Sequence, residues 1–201
     1  MNTCSDRYSQ TVARPLDHDK RIELLGRVVE YIGTHGLDDL TLRPLAAELG
    51  TSSRMLIYYF DSRENLIVQA LSSQRPAFDE MFGDVHDYAQ LEQRLHRLWM
   101  SMSDGGDAVS SRILMQVIGI ASIKSGVLAD FARDSVRALT NALAAAMARC
   151  GMDSAAALVQ ATTVGAAFRG LLLDRFTTGD SGRTDAAAAM LFRAAAQYNS
   201  R

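Results

Sequence analysis

The chain is poor in cysteine. Cys4 and Cys150 stand far apart, which excludes a disulfide framework and leaves no expected structural bridge. It also lacks a basic excess. Lys and Arg number 21 against 23 Asp and Glu, for a formal net charge of −2, so no global positive field attracts nucleic acid. No uninterrupted apolar run reaches the roughly 18 residues of a membrane span. The opening MNTCSDRYSQTVARPLDHDK has no apolar core behind a basic start. It is not a signal peptide, and the cytoplasm is the default location. His18, His35, His86 and His96 form no metal pattern: there is no HExxH and no Cys/His cluster. Glu92 and His96 lie one turn apart, a possible metal pair that reads more readily as pocket or surface groups. A phosphate loop and a nucleophile–base pair are missing too. These absences argue against an enzyme and imply no cofactor and no metal. With no period-2 strand pattern and no repeat, the expected fold class is all-α.

What is present begins at Leu40–Leu66, LTLRPLAAELGTSSRMLIYYFDSRENL. Leu42, Leu45, Ala46 and Leu49 recur on one helical face. Thr41 is placed to cap that helix, and Pro44 falls in its first turn, where no intrahelical N–H is lost. Gly50 follows the last apolar position, where a helix stop favours positive φ. Ser52 is placed to cap a second helix running to about Phe60. Ser53, Arg54, Ile57 and Tyr58 share one side of it, and Leu56, Tyr59 and Phe60 lie nearer the other. Either Asp61 or Ser62 caps the following helix, with Glu64 three residues past Asp61 as in a capping box. Two short helices about a glycine turn read as a helix-turn-helix.

On these residues the run from Arg21 to Leu66 resembles the DNA-binding domain of TetR/AcrR-type transcriptional regulators. The matching pieces are Arg21, Leu25, the apolar helix to Ile32, His35-Gly36-Leu37, Leu40-Thr41-Leu42-Arg43, Leu45-Ala46, Leu49-Gly50-Thr51-Ser52, Leu56, Tyr58-Tyr59-Phe60 and Ser62-Arg63-Glu64-Asn65-Leu66. They cover roughly the first third of the chain. Ile57 stands where the family often has tyrosine, and Asp61 where it often has lysine, so no contact is carried over at those two positions. The resemblance implies a homodimer on a double-stranded DNA operator, with an all-helical effector domain in the remaining two thirds. It implies a repressor released by a small apolar or amphipathic effector. The alternatives are a helical regulator without a small effector, and an all-helical enzyme with a coincidental reader-like motif.

The implied DNA contacts are Thr41, Arg43, Thr51, Ser52, Ser53, Arg54, Tyr58, Tyr59 and Arg63. Arg54 is the leading candidate for base readout, because a guanidinium fork matches a guanine edge. Arg43 is suited to a base or phosphate, Arg63 to the backbone, and the Thr51 and Ser52 hydroxyls to phosphate. For Tyr58 and Tyr59, backbone contact and core packing both stay open. The reader is electrically balanced, with Arg43, Arg54 and Arg63 against Glu48, Asp61 and Glu64. Modest non-specific affinity is therefore expected, because counterion release scales with the phosphates neutralised.

The expected domains are a flexible arm over 1–16, a helix-turn-helix domain over 17–61, and a helical ligand-binding and dimerisation domain over 62–201. The arm carries Arg7 and Arg14, either solvated or touching DNA. The first helix should run from about Asp17 to Thr34, with Ile22, Leu25, Val28, Val29 and Ile32 inward. Pro76 should kink or end the helix that starts near Ser62. Further helices are expected at about Asp87–Met102, Asp107–Ile123, Val127–Cys150, Ser154–Thr177 and Thr184–Asn199, with a loop over Gly179–Gly182. The last two are rich in small residues and hold more apolar positions than one subunit's core needs, so they are the expected dimer surface. For the effector, Trp99, Met100, Met115, Phe131, Met147 and Phe168 suit an adaptable apolar lining. Arg112, Arg169 and Asp174 are polar groups on apolar helices, either orienting a ligand or making surface ion pairs. Arg169 is the one assigned to the ligand site.

Overall fold

A computed structural model describes residues 18–38 and 40–197. The arm over 1–16, with Cys4, Arg7 and Arg14, lies outside the described residues, as does Asn199. Among the described residues ten helices follow one another: α1 His18–His35, α2 Leu42–Glu48, α3 Ser53–Phe60, α4 Arg63–Ser73, α5 Phe78–Gly83, α6 Tyr88–Ser103, α7 Ala108–Ala121, α8 Val127–Arg149, α9 Ser154–Thr178 and α10 Ser181–Ala196. No strand occurs among the described residues, so the fold is all-α.

The first four helices assemble around one apolar cluster. Leu25, Val28, Val29 and Ile32 point into it from α1, joined by Leu24 and Tyr31. Ile22, expected on that inner face, is instead exposed. The buried stripe of α1 begins two residues later, at Leu24. At the end of α2, Gly50 takes φ 65°. The Gly50 N–H donates to the Ala47 carbonyl and the Thr51 N–H to the Ala46 carbonyl, at 3.2 and 2.9 Å. This Schellman pairing turns the chain sharply into α3. Thr41 has the extended backbone of a cap but makes no side-chain cap bond. Ser52 does cap α3, accepting from the Met55 N–H. Ser62 caps α4, accepting from the Asn65 N–H. Asp61 closes α3 at φ 67°, so the Asp61–Glu64 capping box does not form. Asp61 cannot both end one helix with a left-handed turn and start the next with the extended backbone of a cap.

Pro76 acts as a stop rather than a kink, since α4 ends at Ser73. The short helix α5 is a further element that the sequence pattern did not reveal. Its buried Phe78 and Phe82 join a second cluster with Leu95, Leu98 and Trp99 of α6, Leu143 and Met147 of α8, Phe168 of α9 and Phe192 of α10. Helix α10 starts earlier than expected. Asp180 caps it by accepting from the Arg183 N–H, so Ser181 and Gly182 belong to its first turn and the loop shrinks to Gly179 and Asp180.

By length and composition α9 is apolar enough to cross a membrane. Its apolar residues have other work here. Ala157, Ala161, Val164, Phe168 and Leu172 fill the second core, Ala156, Leu171 and Phe176 pack against it, and Leu158, Val159 and Leu173 are exposed. Arg175 of α9 is only 5% exposed. Its guanidinium donates to Asp104 at 2.5 Å, Thr184 at 2.9 Å and Asp185 at 3.1 Å, tying α9 to α10 and the end of α6.

The two clusters are not separate bodies. Ile113 and Val117 of α7 and Phe131 and Ala132 of α8 sit in the first cluster with α1 and α4. Helices α1 and α7 approach closely: a Cβ built on Gly33 would lie 2.4 Å from Val109 Cγ1. The Leu37 N–H also donates to Gln116 Oε1 at 3.2 Å.

Candidate nucleic-acid interface

Helix α3 is amphipathic in the sense its sequence implies. Leu56 and Phe60 are buried, while Arg54, Ile57 and Tyr58 are exposed. Tyr58 keeps 57% of its surface, with its ring edge-on to Tyr59 at 5.7 Å. Tyr59 is half-buried against the first cluster, so it combines the packing role with a partly open edge. Thr41 and Arg43 are exposed at the start of α2, and Ser52 at the cap of α3; Thr51 and Ser53 are half-buried beside it. One turn and the tips of two helices thus gather these residues.

Charge placement matters more than charge count. Three arginines near the reader are committed inward. Arg21 bonds to Gln69 and lies over the Phe60 ring. Arg27 donates to the Leu49 and Glu48 carbonyls at 3.1 and 2.8 Å, satisfying the exposed carbonyl end of α2. Arg63 donates from Nε to the Leu40 carbonyl at 2.6 Å and from Nη2 to the Leu37 carbonyl at 2.7 Å. It also meets Glu64 at 3.4 Å. Arg63 was expected to face the DNA backbone; its fork is instead occupied by the segment that leads into α2. Arg43 and Arg54 make no hydrogen bond or ion pair among the described residues, and both project outward. Free guanidinium groups on an exposed rim are what phosphate and base edges require.

Arg63→Met should lower stability by about 1–3 kcal/mol, the usual worth of hydrogen bonds from a charged donor. It should also weaken binding evenly across DNA sequences, since it removes support rather than readout. Urea denaturation and binding to two unrelated duplexes check both parts. Full stability in the variant would contradict the role.

Comparison with known proteins agrees with this geometry. Residues 28–70, from mid-α1 through α4, match the family model described as "Bacterial regulatory proteins, tetR family". The tetR-family match thus covers the helix-turn-helix segment and its flanking helices. Over most of its length the chain shares its fold with solved transcriptional-regulator structures. A TetR transcription regulator from Haloarcula marismortui superposes with a TM-score of 0.72 at 21% identity, covering 89% of this chain and 96% of the other. A putative transcriptional regulator from Saccharomonospora viridis, in complex with choline, gives 0.71 at 20% identity, covering 90% and 97%. A SmeT–triclosan complex gives 0.70 at 16% identity, covering 88% and 91%. No curated protein matches the chain in sequence.

Beyond the helix-turn-helix, the chain encloses an apolar cavity among α4, α7, α8 and α9. Leu71, Leu114, Met115, Phe131, Leu139 and Phe168 are among the apolar side chains of the wall, and Arg169 reaches it from α9. About 50 Å³ is open to a water-sized sphere, inside an envelope of about 620 Å³ that includes the mouth. Of the residues expected at a ligand site, Met115, Phe131, Phe168 and Arg169 therefore come together. Trp99, Met100 and Met147 do not. Trp99 lies behind Phe168, edge-on at 5.6 Å, with its indole N–H given to Asp185 at 2.7 Å. Met100 is on the outer surface and Met147 is sealed in the second core. Arg112 lies over the Phe176 ring at 5.0 Å. Asp174 pairs with Arg183 at 2.6 Å, a hydrogen-bonded contact that holds its carboxyl below the ordinary value.

The outer face of α9 and α10 is apolar and exposed, with Val159 at 69% and Met190 at 70%. A shallow groove between the two helices is lined by Ala155, Val159, Thr163, Leu191 and Ala194. The buried members of the expected small-residue face on α9, Ala161, Val164, Gly165 and Phe168, serve the subunit itself. Cys150 is half-buried, and burial, with Asp87 nearby, pushes its thiol above the ordinary value.

Proposed function

We propose that the chain is a homodimeric, DNA-binding transcriptional regulator, a repressor that a small-molecule effector releases from its operator. The observation that carries this reading is α3, with Leu56 and Phe60 inward and an unpaired Arg54 beside Tyr58 outward. Helix α3 enters the major groove and Arg54 reads a base edge. Arg43, Thr41, Thr51, Ser52, Ser53, Tyr58 and Tyr59 set the register on the phosphates. Arg63 acts from behind, by fixing the entry to α2. The segment over 1–16 is an accessory arm, 17–61 the reader, and 62–201 the effector and dimerisation part. Helix α4 straddles that boundary, because its buried side joins the reader's cluster. The protein works in the cytoplasm and catalyses no reaction.

The dimer forms through the exposed faces of α9 and α10, which bury the apolar side chains that one subunit leaves in water. The effector occupies the cavity. Proteins of the same fold are found with choline and with triclosan, which supports a small-molecule role. Helices α4 and α7 both line the cavity and both touch the reader. A ligand larger than the present free space must part those walls. It binds best to a conformation with altered reader spacing, and DNA affinity falls by that difference.

Selection from random duplex DNA tests the reading. The expected product is a palindromic site whose binding weakens steeply with salt. Recovery of no preferred sequence would sink the proposal.

A further inference from the structure

The cavity wall holds a cation that no described residue neutralises. Arg169 stands on α9 among apolar side chains, and no carboxylate among the described residues lies within ion-pair distance of it. One of its terminal nitrogens, Nη1, is fully buried with no hydrogen-bond partner. A buried donor left unpaired costs a folded protein more than an apolar replacement would, so it needs a reason. The Ser135 hydroxyl of α8, which lines the same cavity, is also buried without a partner. Two unsatisfied donors therefore share one greasy enclosure.

The guanidinium lies close along the backbone of its own helix. Gly165 lies one turn before Arg169 on α9. A Cβ there would sit in ordinary contact, 3.4 Å from Nη1 and 3.6 Å from the Thr140 hydroxyl oxygen, which places the buried nitrogen between α9 and α8. Burial also holds Arg169 below its ordinary pKa, with no opposing charge to restore it. The other ionisable groups on the wall are Arg75 and Asp107. Asp107 already accepts from the Ser101 hydroxyl at 2.6 Å. The balance of the lining is positive.

From this arrangement we infer that the effector is an amphipathic monocarboxylate, its carboxylate held by Arg169 and Ser135 and its hydrocarbon body by Phe131, Met115 and Leu114. The inference rests on the effector reading above and adds its chemical class. A carboxylate accepts from both orphaned donors at once, and a guanidinium fork suits its geometry. The hydrocarbon part meets the mostly apolar wall, where Met102 and Met115 can adjust their shape as the cavity widens. A quaternary ammonium would meet an unneutralised arginine, which separates this site from one suited to choline.

Calorimetric titration of the intact protein with octanoate, octanamide and octyltrimethylammonium tests it, alongside Arg169→Met and Arg169→Lys. Octanoate should bind at least about tenfold tighter than octanamide, and the cation should not bind. Arg169→Met should lose about 10–100-fold for octanoate, the worth of hydrogen bonds to a charged group, with octanamide unchanged. Arg169→Lys should recover part of the loss. Circular dichroism confirms that each variant is folded; if Arg169→Met fails to fold, the Lys variant and the wild-type ranking decide. Equal binding of acid and amide, tighter binding of the cation, or binding of none of the three would overturn the carboxylate inference. Binding of the selected duplex by the ligand-free protein, measured separately, reports on the regulator reading alone.

Discussion

Arg54→Ala should abolish sequence preference while leaving a folded dimer. A bidentate arginine–guanine contact discriminates by about 1–3 kcal/mol. Two readers share one operator, so the selected site should lose about 2–6 kcal/mol, or roughly 30-fold to more than 10⁴-fold. Non-specific duplex should be affected much less, because most of that affinity comes from phosphate neutralisation. The subunit should not notice the change: Arg54 is exposed and makes no hydrogen bond or ion pair among the described residues. Parallel binding curves on the selected site and a scrambled duplex provide the check. If the two fall by the same factor and the salt slope also drops, Arg54 is a phosphate contact and the base-reading role is wrong.

The second large effect is expected at the opposite end of the molecule. Val159→Glu with Met190→Glu places two carboxylates per subunit on the exposed face of α9 and α10. Both positions are mostly solvated within one subunit, so the fold should tolerate them. In a dimer through this face, four carboxylates would lose water without partners. Burying even one polar group unpaired costs about 1–3 kcal/mol on protein scales, and a charge costs more. Dimerisation should weaken by more than about 1,000-fold, equivalent to about 4 kcal/mol, and operator affinity should fall with it. Sedimentation velocity on the wild type and the variant decides. A wild-type monomer, or a variant that stays dimeric, would place the interface elsewhere or nowhere.

Parts of this molecule were legible from the order of residues, for physical reasons. The α2–α3 turn is written in local chemistry: a 3.6-residue stripe, a glycine where φ is positive, and Ser52 and Ser62 as caps. These signals act within a few positions, so they survive without knowledge of the fold. Helix α5 has six residues between Pro76 and Val85, too few to show a period. Ile22 fits the α1 stripe by spacing, yet the stripe's edge is set by where α4 lies, which is a tertiary fact. The inward use of Arg27 and Arg63 was hidden for the same reason. Each reaches carbonyls more than twenty positions away, and nothing periodic marks that.

The effector region divides the same way. Sequence pattern separates buried from exposed positions reasonably well on α6 to α10. It does not say which buried side chain borders a void. Phe168 and Trp99 touch, but only Phe168 lines the cavity; Met147 packs where the core is full. Arg169 stood out as a charge on an apolar helix. Its lack of a partner became visible only when α8 and α9 were seen together. Arg112 and Asp174 have the same sequence character and proved to be engaged with Phe176 and Arg183.

Hydroxyl-radical footprinting on the selected duplex addresses the central claim, that two outward α3 helices read DNA as a pair. Twofold-related patches should be protected on one face of the duplex, with their major-groove centres about one helical turn or a whole multiple of it apart. A single patch, or protection without twofold symmetry, would contradict it.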